Sequence, residues 1–214
     1  MSVIQQTTDE TILKCENWCR LAICVNNPVK SALIAILHNK VSKPSINGLP
    51  EDPILLYNHL YSCRNKLKNS KVLKQDQLAL LLPKEGKVVS ESLDVTILRF
   101  LIRTFCNIVN EDGHWKEPRH DDHSIAAGVF RAANMRNRVF HYKDPNAMED
   151  IEFETMWCEI EVILADLCYV EDISDFKVNS LDPVAAKKLK QIHDNMTEGK
   201  QSLFELCKGF NVFS

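Results

Sequence analysis

Arg136, Asn137, Arg138, Val139, Phe140 and His141 stand in a row near the end of a strongly helical stretch. Three of these side chains could act together on a phosphate. On a helix, Asn137 and His141 are one turn apart and share a face. The Asn137 amide could hold one ring nitrogen of His141 and set its tautomer, leaving the other nitrogen to move a proton. Arg136 lies about 140° from His141 around the helix. Its long side chain can still reach a phosphate beside the imidazole, which a guanidinium grips with a planar fork. A base for a 2′-hydroxyl, a cation for charge growing on phosphate and an acid for the leaving 5′-oxygen are the parts of metal-free RNA cleavage. One histidine serves poorly as both acid and base. A second copy of the chain, paired symmetrically, would complete the site.

The elements that must position this motif read as helices almost throughout. Seven candidates follow one another, with no convincing strand alternation. The first covers about 10–25, with Ile12, Cys15, Cys19, Ala22 and Ile23 at helical spacing. The second starts at Asn27-Pro28, a cap followed by a proline suited to the first helical position. VSKPSINGLPEDP reads as a loop. A third helix covers about 53–67, with Leu56, Leu60 and Leu67 on one face, and a fourth covers about 74–82 and stops at Pro83. Asp94 can cap a fifth, VTILRFLIRTFCNIV, whose Ile97, Leu98, Leu101, Ile102, Phe105 and Ile108 place it centrally. Asp121 or Asp122 can cap the sixth, which carries the motif and stops at Asp144-Pro145. The seventh, about 148–169, turns Phe153, Trp157, Ile160, Ile163, Leu164 and Leu167 to the core. DISDFKVNSLDP is a linker, and an amphipathic helix over about 183–208 closes the chain. These elements predict an all-α bundle with short connections over 1–170 and an appended linker and helix over 171–214.

Composition narrows the function classes. The chain has 214 residues, 26 Lys+Arg against 29 Asp+Glu, and a net charge of −3. A protein basic all over is excluded, so nucleic-acid contact would need a local patch. With 45% apolar and 26% charged residues, the chain falls in the globular range. No apolar stretch reads as approaching the roughly 18 residues of a membrane span. MSVIQQTTDE has neither the basic nor the apolar region of a secretory signal, so a cytoplasmic protein without membrane contact is expected. The eight cysteines, Cys15, Cys19, Cys24, Cys63, Cys106, Cys158, Cys168 and Cys207, form no C-x-x-C pair. Most lie in apolar helical runs and read as buried, reduced thiols.

Other charged clusters have simpler readings. His120-Asp121-Asp122-His123 has metal-ligand types, yet Asp at a helix start is expected for capping, so no metal site is assigned. Arg64, Lys66, Lys68, Lys71 and Lys74 read as a solvated face, with an RNA track as the alternative. Trp157 reads as core and Trp115 as packed on the bundle. Tyr142 is a candidate for stacking on a base. Phe210 and Phe213 read as a packed tail or an exposed anchor.

The R-N-x-x-x-H string at the end of a late helix resembles the signature of the HEPN superfamily. VLKQDQLALLLP, SLDVTILRFLIRTFCNI, the GHW loop, RNRVFHY and the F-x-x-x-W of IEFETMWCEI resemble one animal subfamily, named after a DAZ-interacting zinc-finger ubiquitin ligase that binds RNA. The likeness runs from about Asn17 to Leu167. GHWKEPRHDDH departs in detail from the GW-type loop of that subfamily. The resemblance implies a HEPN-like up-and-down bundle with flanking helices. It also implies homodimerisation through the motif-bearing face and metal-independent endoribonuclease activity without cofactors. Arg136, Asn137 and His141 would be catalytic, with Arg131, Arg138, Tyr142 and Lys143 contacting single-stranded RNA. The alternative is a non-catalytic interaction or scaffold module in innate immune or stress signalling, docking a protein through the C-terminal helix. Burial of Arg136 and His141 in a bonded network would favour that alternative. Exposure in a positive cleft would favour the enzyme.

Overall fold

A computed structural model describes residues 16–41, 46–108 and 117–178. The start of the first expected helix, Trp115, the C-terminal helix, Phe210, Phe213, Cys15 and Cys207 lie outside the described residues. Within them the chain is helical, with no strand. The helices are α1 (Glu16–Leu37), α2 (Pro53–Ser62), α3 (Arg64–Lys68), α4 (Gln75–Leu81), α5 (Val95–Phe105), α6 (Ile125–Phe140), α7 (Asp150–Asp166) and α8 (Ser174–Val178). The expected all-α bundle is therefore present.

The first two expected helices are one. Pro28 does not start a helix but sits inside a π-helical turn, Val25–Val29. A proline lacks the N–H of the regular ladder and its ring crowds the carbonyl four residues back, so a widened turn lets the helix continue. The Asn26 side-chain amide helps by donating to the Ala22 carbonyl at 3.0 Å. The fused α1 is long and apolar enough to cross a membrane by length and composition, with mean hydropathy 1.3 over its window. This corrects the expectation that no stretch approaches that length. In the bundle, 61% of that window is buried, Trp18, Leu21, Leu33, Ile36 and Leu37 completely.

Other boundaries follow local chemistry. Cys63, at φ −96° and ψ 12°, breaks the expected third helix into α2 and α3, while Leu56, Leu60 and Leu67 all remain buried. Asp94 caps α5 by accepting the Ile97 N–H at 2.8 Å. α6 is capped by Ser124, which accepts the Ala127 N–H at 3.2 Å, rather than by an aspartate. Asp122 stands one step back and accepts the Ser124 N–H at 2.9 Å. The expected linker contains α8, whose Lys177 reaches Glu154 at 2.6 Å and lies over the Trp157 ring at 5.7 Å.

The core is made by α1, α5, α6 and α7. α6 and α7 run antiparallel, as Arg131–Asp166 at one end and Tyr142–Glu152 at the other show. They approach closely at Gly128, where an added Cβ would lie 2.9 Å from the Asp166 Cβ and 3.0 Å from a Leu167 methyl. His38 ties the loop after α1 to the segment before α5. Its Nδ1–H donates to the Leu49 carbonyl at 2.9 Å, so Nε2 accepts from the buried Ser90 hydroxyl at 2.8 Å.

Six described cysteines are free thiols, of which Cys19, Cys24 and Cys106 are buried. Burial pushes the Cys24 and Cys106 thiols up to about 12. Cys158 departs from the expectation of buried thiols, because it faces outward on α7.

Two outcomes follow. Gly128→Ala will lower the melting temperature by several degrees, because overpacking costs about 1–3 kcal/mol against the ~0.5–1 kcal/mol gained from helix propensity. A Gly128→Ala protein as stable as the parent would show that α6 and α7 can part there freely. In native protein at pH 8, maleimide will label Cys158 well before Cys24 or Cys106, read by peptide mass spectrometry, because the thiolate is the reacting form.

Candidate functional site at the end of α6

α6 delivers the motif to its own C-terminus. His141 is the residue at which the helix stops, with φ −103° and ψ 15°, and its N–H donates to the Asn137 carbonyl at 2.9 Å. Asp144 then accepts the Asn146 N–H at 3.0 Å and starts a short 3₁₀ turn at Pro145. The chain turns away directly after the motif.

Arg136 points inward and is only 5% exposed. One terminal nitrogen donates to the Asn137 side-chain oxygen at 2.9 Å, and the other is 3.7 Å from an Asp94 carboxylate oxygen. The guanidinium also lies over the Phe140 ring at 5.5 Å. Asp94 thus has two tasks, because its other oxygen caps α5. Trp18 of α1 closes the far side: its indole N–H donates to the Val139 carbonyl at 2.8 Å and its ring meets Phe140 edge-on.

Asn137 and His141 are exposed. The expected Asn137–His141 side-chain bond is not formed; the Asn137 oxygen accepts from Arg136 instead. No described residue hydrogen-bonds the His141 ring. Lys143, two residues on, is also exposed. The structure therefore splits the motif into an inward Arg136 and an outward Asn137 and His141. By the geometric criterion above, the buried and bonded Arg136 favours an interaction module, while the exposure of Asn137 and His141 meets only one part of the enzyme criterion, because neither described groove includes them.

Three of the four residues expected to contact RNA have work within the fold. Arg131 pairs with the buried Asp166 at 2.7 Å and donates to the carbonyls of Arg119 and Asp122 at 2.9 and 2.6 Å. It clamps the segment that leads into α6. Arg138 pairs with Glu159 on α7. The Tyr142 hydroxyl donates to Glu152 at 2.5 Å, and burial, followed by that carboxylate, pushes the phenol up to about 12.

Among the described residues, no three His, Cys, Asp or Glu side chains gather as a metal would need. His123 instead bonds to Asp166 at 2.9 Å, and the Ser124 bonds hold the Asp122 carboxyl below its ordinary value. A groove of about 940 Å³ between α6, α7 and the preceding segment is walled by Arg131, Met135, Cys158 and Glu159. It does not include Asn137, His141 or Lys143.

Sequence reasoning missed the tertiary roles of Asp94, Trp18 and Asp166. Asp94 was legible as a cap, but a cap needs only one oxygen, and nothing local signals where the second points.

A helical bundle whose late helix ends in R-N-x-x-x-H is the arrangement of the HEPN class. The family model described as DZIP3/hRUL138-like HEPN matches residues 53–189, well over half of the chain. The chain belongs to this HEPN family. The match starts at α2, later than the resemblance beginning near Asn17, so α1 and its Trp18 contact lie outside it. No curated protein and no solved structure matches the chain.

The site predicts a clear contrast in stability. Arg136→Ala leaves Asp94 a buried charge without its cation, a loss of about 3–5 kcal/mol. His141→Ala changes only an exposed side chain and will shift stability by less than about 0.5 kcal/mol. Urea denaturation of both variants checks this. Equal midpoints would show that the Arg136–Asp94 pair contributes nothing.

Proposed function

We propose that the protein binds single-stranded RNA and cleaves it without a metal, using His141 as the proton carrier. The observation that carries this reading is the exposed His141 imidazole, unclaimed by any described residue, at the helix end of a HEPN-family chain. His141 takes the proton of a 2′-hydroxyl, whose oxygen attacks phosphorus. The bond to the 5′-oxygen breaks, and a protonated His141 of a second copy supplies that oxygen with its proton. The products are a 2′,3′-cyclic phosphate and a 5′-hydroxyl. The Asn137 amide N–H groups and Lys143 face solvent and suit the phosphate oxygens. Arg136 holds Asn137 through its side-chain oxygen while staying paired with Asp94, which makes it a positioning residue in the monomer. A symmetric dimer joins two motifs in one cleft, and the protein acts in the cytoplasm.

A second reading is a non-catalytic interaction module, favoured by the burial of Arg136 in a bonded network. Cleavage of labelled single-stranded RNA in EDTA separates the two. Removing a general acid or base costs about 10²–10⁴ in rate, so His141→Ala should lose at least a hundredfold while keeping the native circular dichroism spectrum. Arg136→Lys, which keeps the charge, replaces Arg136→Ala as the folded comparison. No cleavage by the parent protein, or equal cleavage by His141→Ala, would remove the nuclease reading and leave the interaction module.

A further inference from the structure

The outward face of α5 carries a stripe at helical spacing. Thr96, Arg99, Phe100, Arg103 and Thr104 lie opposite the buried Ile97, Leu98, Leu101 and Ile102. With Lys66 of α3 and the Ser70 hydroxyl, the stripe lines a groove of about 420 Å³. No carboxylate lines it, although the chain as a whole carries a net charge of −3.

Two of the three cations, Arg99 and Lys66, are held by groups other than acids. The Arg99 guanidinium lies over the Phe130 ring of α6 at 4.7 Å. The Lys66 ammonium donates to the Thr104 carbonyl at 3.2 Å and lies over the Phe105 ring at 5.0 Å. Arg103 is exposed one turn beyond Arg99, and no described residue forms an ion pair with either. Partial burial, followed by the Arg103 charge, lowers Arg99 from its ordinary value. Two like charges at this spacing repel each other, and an anion between them would relieve the repulsion. The aromatic faces fix Arg99 and Lys66 while leaving N–H groups free to donate.

We infer that this α5 groove, lined by Lys66, Arg99 and Arg103, binds the phosphodiester backbone of a single RNA strand. The inference rests on the RNA reading above and adds where the strand lies. Arg99 and Arg103 are about 6 Å apart along the helix axis, a separation suited to neighbouring phosphates of one extended strand. Phe100, half-buried in the same groove, offers a ring to a base. Lys68, Lys71 and Lys74, near Ser70 in sequence, are exposed as well. Of the basic run in the sequence, Lys66 thus gains its partners from α5, not from the arginines of α6. The same helix begins at Asp94, so α5 both anchors the motif through Arg136 and carries the track.

Fluorescence anisotropy of a labelled oligouridylate, in EDTA and from about 50 to 200 mM KCl, tests this. The Arg99→Gln/Arg103→Gln variant should bind at least about tenfold more weakly. The slope of log affinity against log salt should fall by about 1.4, near 0.7 for each lost phosphate contact on a single strand. Arg99→Lys/Arg103→Lys should keep the slope. If the double glutamine variant is unfolded by circular dichroism, the exposed Arg103→Gln alone should show about half the slope change. Parental affinity and slope in the folded glutamine variant would overturn the groove, as would absence of RNA binding by the parent protein. Cleavage measured in parallel keeps the readings apart. Loss of binding in the glutamine variant with no cleavage by the parent keeps the groove and ends the nuclease reading. Unchanged binding, with cleavage lost in His141→Ala, does the reverse.

Discussion

The buried contact between Arg136 and Asp94 joins the end of α6 to the start of α5. Asp94 spends one oxygen on the Ile97 N–H and offers the other to Arg136. One carboxylate therefore satisfies a buried helix donor and compensates a buried cation. Both charges lie out of water, where an unmatched one would be costly. Asn137, Phe140 and Trp18 arrange themselves around this contact. Arg136 is drawn inward and holds the Asn137 oxygen, and the helix ends with His141 exposed.

This constraint changes how the motif divides its labour. Read along the sequence, its three polar residues form one reactive set. In the fold, Arg136 is a structural group that acts through Asn137, while His141 stands apart. The arrangement separates the motif, because no described residue hydrogen-bonds the exposed His141 ring while Arg136 is committed to Asn137 and Asp94.

The cationic residues sort by partner rather than by number. Arg131 and Arg138 lie near the motif in sequence, but Asp166, backbone carbonyls and Glu159 occupy them. Arg99 and Arg103 drew no attention within an apolar helix, yet they stand on its outer face without acids. Charge that the fold has already neutralised adds little to binding. Charge held by aromatic rings and carbonyls remains available to a phosphate.

Much of the architecture was readable from local rules. The apolar faces of α5 and α7 and the Asp94 cap depend on period and backbone donors within one turn, whereas α6 ends at Phe140, before the expected stop at Asp144-Pro145. Errors arose where a local signal had two solutions. Pro28 can start a helix or sit in a widened turn, and only burial of both flanking runs against the same core selects one continuous α1. An aspartate and a serine can each cap α6, and the backbone path into the helix selects Ser124. The sequence by itself determined the helical class, the family-bearing motif and the core residues, because these rest on spacing of three or four residues. Tertiary structure alone decided that Arg136 is buried, that Asn137 turns to it rather than to His141, and that Lys66 meets Arg99 and Arg103. Those outcomes depend on groups brought together from distant parts of the chain, whose pairing no local period encodes.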